Sequence, residues 1–185
     1  RKLVVDLYFV YLAMEEEIGR LTSEGHPVVS RISYPELNRR ESLEEDLKFY
    51  FGTDWASSLQ PTRAAKAYVE RIHQVASKTP ELLIGHHYTR YIGDLSGGQM
   101  LKTIAQKAMN LAEHDGLRFY EFDQIPDEKA FKNHYKATLD SLPIDQGMAD
   151  LIVEESNKAY QCNMDIFNEL EGNIITAIGL VLFRL

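Results

Sequence analysis

The sequence predicts an all-α protein, a compact multi-helix bundle, on three observations. Apolar residues return every three to four positions over long segments, no stretch alternates strictly enough for a strand, and Gly or Pro stands between the periodic segments. Leu3, Leu7, Val10, Tyr11, Met14 and Ile18 lay one apolar stripe along a first helix, with Glu15, Glu16 and Glu17 toward its far end. "TSEGHPVVSRISYPELN" interrupts the pattern with Gly25, Pro27 and Pro35. "RRESLEEDLKFYFG" resumes it, and Gly52 fits a C-cap. Pro61 fits the first turn of "PTRAAKAYVERIHQVASKT", and Pro80 the first turn of a long segment reaching about Glu113. "EHDGLRFYEFDQIPDE" reads as a loop around Gly116, followed by helices over roughly 127–141 and 144–171.

At 185 residues the chain suits a single domain. A formal charge of -8 argues against nucleic acid as a partner, and any anionic ligand must meet a local basic patch. Cys162 stands alone, which excludes an internal disulfide and a cysteine-ligated metal cluster. The longest apolar run, "IITAIGLVLF" at 174–183, is shorter than the ~20 residues that span a bilayer. It reads as a buried or docking helix end, with no transmembrane anchor. "RKLVVDLYFVYLAMEEEIG" enters its helical pattern without an initiator Met or a cap residue, as in a chain cut at its N-terminus.

The stretch "YTRYIGDLSGGQMLKTIAQKAM", residues 88–109, carries the most chemistry. Each interior glycine costs a helix about 0.5–1 kcal/mol relative to alanine. Gly93 and Gly97 are four apart and share a face, with Asp94 beside its centre and Tyr88 and Thr89 about one turn ahead. Such a face lets backbone approach a flat ligand; the alternative is close packing against another helix. Leu95-Ser96-Gly97-Gly98-Gln99 also spells a transporter-ATPase signature, but no G-x-x-x-x-G-K-[ST] phosphate loop accompanies it. Glu70 and His73 form one E-x-x-H where a di-iron bundle needs two. His86 and His87 point about 100° apart on a helix, so one is expected packed and the other facing solvent. Lys132 and Lys136, with Lys129 and His134 nearby, form the best basic patch and could receive carboxylates or simply face solvent.

Together these pieces resemble the heme oxygenase family. "YTRYIGDLSGGQ" is similar to its distal-helix signature, and "LYFVYLAMEEEI", "PELNRRESLEEDL", "TPELLIGHHYTRY" and "FNELEG" extend the likeness over nearly the whole chain. "YPELNRRESLEEDLKFYFG" and "DEKAFKNHY" are most similar to cyanobacterial and algal plastid members. The resemblance implies an enzyme that uses heme b as substrate and cofactor, opening it at the α-meso carbon with O₂ and electrons to biliverdin, CO and Fe²⁺. The implied electron donor is ferredoxin or another small carrier, and the implied location is soluble, in cytoplasm or plastid stroma. A non-catalytic heme- or bilin-binding module is the alternative.

Carried over by position, the resemblance implies catalytic roles for Asp94, Arg90, Tyr11, Tyr68 and Asn163, with Asp94 organising distal water. It implies heme contacts from Tyr88, Thr89, Gly93, Ser96, Gly97, Lys132, Lys136 and Phe167. Lys136 departs from the arginine of the family pattern and loses its bidentate fork. The family's axial histidine lies on a proximal helix N-terminal to the segment that opens this chain. His26, His73, His86, His87, His114 and His134 do not match it, so the expectation is one heme oxygenase domain over 1–185 without that helix and with no metal ligand of its own. Lys102, Lys107, Arg39 and Arg40 are candidates for a basic face toward an acidic donor.

Overall fold

The apolar stripe of the first helix predicts which side chains disappear from solvent. In a computed structural model that describes residues 1–112 and 114–170, that helix, α1 (Lys2–Ser23), buries Leu7, Val10, Tyr11, Met14 and Ile18. Six further helices follow among the described residues: α2 (Arg40–Phe51), α3 (Arg63–Lys78), α4 (Leu83–His87), α5 (Gly93–Met109), α6 (Glu128–Asp140) and α7 (Gln146–Glu169). No strand occurs among them. α1 lies against α2 and α3, and α7 packs on α3 and α4. One core runs through all of these, built on fully buried Tyr11, Met14, Leu43, Leu47, Tyr68 and Ile72.

Helix ends follow from local chemistry. Thr62, Asp127 and Asp145 cap α3, α6 and α7 by accepting from Ala65, Ala130 and Met148 backbone N–H groups at 3.3, 2.9 and 2.8 Å. Pro61 therefore precedes the cap instead of occupying the first turn. Gly52 ends α2 at φ 82°, with its N–H on the Lys48 carbonyl. α5 stops at Met109, short of the expected Glu113, because Asn110 takes a left-handed conformation at φ 50°. The apolar run 174–183 lies outside the described residues.

The acidic triplet of α1 has one internal member. Glu15 accepts from the backbone N–H groups of Arg39 at 2.6 Å and Arg40 at 3.1 Å, covering the α2 N-terminus, and from the Tyr91 hydroxyl at 3.3 Å. Arg39, expected on a basic surface, is buried. Its guanidinium donates to the carbonyls of Leu37, Phe119 and Glu121 and lies 3.9 Å over the Phe122 ring. Backbone carbonyls solvate that cation in place of water.

Both histidines of α4 are also internal, so neither faces solvent. The helix is covered on two sides. His86 lies between Tyr68 of α3 and Glu155 of α7, at 3.3 and 3.0 Å. A carboxylate can only accept, so Nε2 carries the proton and Nδ1 accepts from the Tyr68 hydroxyl. Arg71 donates to the same carboxylate at 2.8 Å. Burial opposes the charge on Glu155, but the hydrogen bonds from His86 and Arg71 prevail and hold its carboxyl well below the ordinary range. His73, by contrast, sits at the surface beside Glu17, and Glu70 is exposed.

α4 reaches α7 so closely that a Cβ on Gly85 would lie 2.9 Å from the Ile152 carbonyl oxygen and the Ser156 nitrogen. Because both neighbours are backbone, Gly85→Ala should lower stability by about 1–3 kcal/mol, read as a denaturant midpoint. Glu155→Gln should destabilise at neutral pH by about 3 kcal/mol, since it takes from Arg71 and His86 the buried carboxylate that both of them bind. A depressed folded-state pKa contributes stability above the ordinary carboxylate value of about 4.3 and loses it on acidification. The gap between the two proteins should therefore close as pH falls below that value, measured by urea unfolding across pH.

Candidate functional site

α4 does not run straight into α5. Tyr88–Ile92 forms one wide π-helical turn, and α5 then begins at Gly93. In an unbroken α-helix, residues seven apart share a face, so His86 and Gly93 would point the same way. The wide turn separates them: His86 faces the core, whereas Gly93 is exposed.

The open face is real space. A Cβ added to Gly93 or Gly97 would meet nothing within 4 Å, whereas one on Gly98 would meet the Tyr120 ring at 3.4 Å. Gly98 thus serves packing, whereas Gly93, with Tyr88, Thr89, Ile92 and Ser96, lines one side of a cleft of about 650 Å³, and Gly97 lies one turn further along α5. The far side is α7, through Val153, Asn157 and Tyr160. Val153 and Tyr160 are 63% and 62% exposed, the two most exposed large apolar side chains among the described residues, and both lie on this wall. Sequence reading missed both. Their spacing with Met164 and Phe167 is the only signal, and it is shared with any amphipathic helix.

Behind the glycines lies a buried polar cluster. Arg90 on the wide turn donates to Asn163 of α7 at 2.9 Å, to the Tyr11 hydroxyl of α1 at 3.3 Å and to Asp94 at 3.1 Å. Tyr11 donates to the same Asp94 carboxylate. Burial pushes the Asp94 carboxyl well above the ordinary carboxylate range and pulls the Arg90 guanidinium below its own. Asp94 thus has a raised proton affinity and is pinned by two donors. Tyr68, grouped with this cluster from the sequence, is fully buried nearby, but its hydroxyl turns to His86.

Lys132 of α6 brings a cation to the cleft rim, its Nζ 3.5 Å from Ser96 Oγ. Lys136 is exposed one turn further along the same helix, and Phe167 is half-buried on α7. The four residues expected to form a basic donor face do not gather into one. Arg39 is buried, Lys102 is bound to Glu121 at 2.6 Å, Arg40 to Glu44 at 2.9 Å, and Lys107 is exposed.

No histidine lines the cleft, and no cluster of metal-ligating side chains occurs among the described residues. What the residues do fit is a flat, largely apolar ligand with an acidic edge. The glycine face admits a ring system, α7 offers apolar contact, and Lys132 stands where carboxylates would emerge.

Fold and site thus define an all-helical scaffold with a pinned carboxylate set behind a glycine-fronted cleft. A family model described as heme oxygenase matches residues 1–169. Heme oxygenase 1 of Synechocystis is 58% identical over 185 residues, covering all of this chain and 75% of that protein. The heme oxygenase of Porphyra purpurea is 47% identical, covering 98% of this chain and 76% of its own. The crystal structure of the Synechocystis heme oxygenase-1 in complex with heme superposes with a TM-score of 0.89 at 56% identity, covering the whole of this chain and 82% of that one. The chain belongs to the heme oxygenase family, a family of oxidoreductases.

The open space before Gly93 allows the cleft to be tested apart from the fold. Gly93→Ala introduces a better helix former into an ordinary helical conformation and should raise stability by about 0.5–1 kcal/mol. The same methyl group intrudes on the slot, so hemin affinity should fall while the melting temperature rises.

Proposed function

We propose that this chain opens heme at the α-meso carbon to biliverdin, CO and Fe²⁺, with O₂ and with electrons delivered by a ferredoxin. When bound, heme is both the substrate and the iron centre that activates O₂. The observation that carries the reading is the pairing of an unobstructed glycine face with a carboxylate fixed behind it by Arg90 and Tyr11.

Each residue then has a task. Gly93 and Gly97 bring backbone against the planar ligand and limit how far it can shift. Asp94 holds a proton at its carboxyl and orients water toward the reacting face. Its raised proton affinity makes it a restrained donor, one that releases a proton to water without acting as a strong acid. Arg90 and Tyr11 keep that carboxyl in place, and Asn163 keeps Arg90 in place. Lys132 and Lys136 receive the ligand's carboxylates, and Tyr160, Val153 and Phe167 supply the apolar wall. The relatives named above are designated oxygenases, which favours an enzyme over a carrier.

The test begins with hemin: adding it should produce a Soret band, and a ferredoxin reducing system with O₂ should convert that band to the biliverdin spectrum. Asp94→Ala should still bind hemin but form biliverdin at least roughly 100-fold more slowly. An undiminished biliverdin yield in that variant would remove Asp94 from the chemistry.

A further inference from the structure

His87 takes no part in the cleft or in the Arg90 cluster, yet it is nearly as enclosed as its neighbour His86. It is 2% exposed, and burial lowers its pKa to about 3, so it is neutral in use. Its Nδ1 lies 2.7 Å from the hydroxyl of Tyr135, and the two rings are parallel to within 5°. On the other side it meets the Tyr91 ring at 4.4 Å.

Tyr135 is the one side chain that α6 buries completely. Phe131 and Leu139 are only partly covered, and the Tyr34 hydroxyl reaches Thr138 at 2.8 Å. α6 is thus a lightly anchored helix with a single deep peg. It also carries Lys132 and Lys136, three residues before and one after that peg. A buried phenol needs a hydrogen-bond partner, and among the described residues only His87 supplies one. Whatever sets the depth and roll of Tyr135 sets where the rim lysines stand.

We infer that His87 is a positioning residue for carboxylate recognition: by clasping Tyr135 it fixes α6 so that Lys132 and Lys136 stand at the cleft edge. His87 does not touch the ligand. Its influence passes through one hydrogen bond and one ring stack, and it is selective for the acidic edge of the ligand over its apolar body. The inference rests on the reading of Lys132 and Lys136 as carboxylate receivers.

Five proteins test it: the full chain, its Lys132→Ala, Tyr135→Phe and His87→Phe variants, and the double variant that combines Lys132→Ala with Tyr135→Phe. Each is titrated spectroscopically with hemin and with hemin dimethyl ester, whose carboxylates are capped. Tyr135→Phe removes only the hydroxyl and His87→Phe keeps a ring in the stack, so the fold should survive in at least one of them. Both should weaken hemin binding about three- to tenfold, the worth of one buried hydrogen bond, and leave the ester's affinity unchanged. Combined with Lys132→Ala, Tyr135→Phe should add little further loss, because both act on one contact. Equal weakening of both ligands, full additivity, or unaltered hemin affinity in both clasp variants overturns the inference. If Lys132→Ala itself fails to separate hemin from its ester, the rim reading is wrong and the inference falls with it. If it does separate them and the clasp variants do not, only the role of His87 is lost.

Discussion

The arrangement depends on one buried guanidinium. Arg90 is removed from water at the point where α1, α7 and the wide turn converge, and a cation there must find polar partners on every side. Tyr11, Asn163 and Asp94 are those partners, each from a different element. Their positions are therefore not independent: moving one leaves a charge unsolvated. The cluster costs the protein desolvation energy and gives no obvious gain in net stability, since buried ion pairs seldom do. What it secures is geometry, a carboxylate whose orientation is set by two donors and whose proton affinity is set by burial.

The neighbouring polar groups repeat that logic at lower stakes. Glu155 collects His86, Arg71 and Lys158 at the junction of α3, α4 and α7, and Glu15 spans from α1 to the start of α2 and to Tyr91. These contacts tie α4 and the wide turn to α1, α3 and α7. The apolar core supplies the bulk of the stability; the buried polar groups decide which helix face looks where. On the cleft side almost nothing constrains α5, and that asymmetry leaves its glycines free for a ligand.

Much of this was legible in the residues. The stripe of α1 and the Gly52 cap followed from periodicity and backbone chemistry. Resemblance assembled Tyr11, Tyr68, Arg90, Asp94 and Asn163 into one group, and the structure links all of them but Tyr68 by hydrogen bonds centred on Arg90. The failures have a common cause, the default that polar side chains face water. Arg39 and His87 are both enclosed, because backbone carbonyls solvate one and an aromatic stack with a tyrosine hydroxyl the other. Sequence distance hides such partners: Arg39 meets Phe119 and His87 meets Tyr135. Tyr160 and Val153 failed in the opposite sense, as apolar residues left uncovered on a helix that otherwise reads as amphipathic.

The wide turn at Tyr88–Ile92 has a consequence for how this segment can change over time. It acts as a single inserted residue, shifting the phase of everything downstream by about 100°. Substitutions within it alter one side chain each. Loss of the Ile92 codon would instead turn the glycine face toward the core and change the angle between Asp94 and Arg90, while Tyr88, Thr89, Arg90, Gly93, Asp94 and Gly97 were all retained. Length matters here as much as composition, so a chain could keep each of those residues and still lose its function through a frame-preserving deletion.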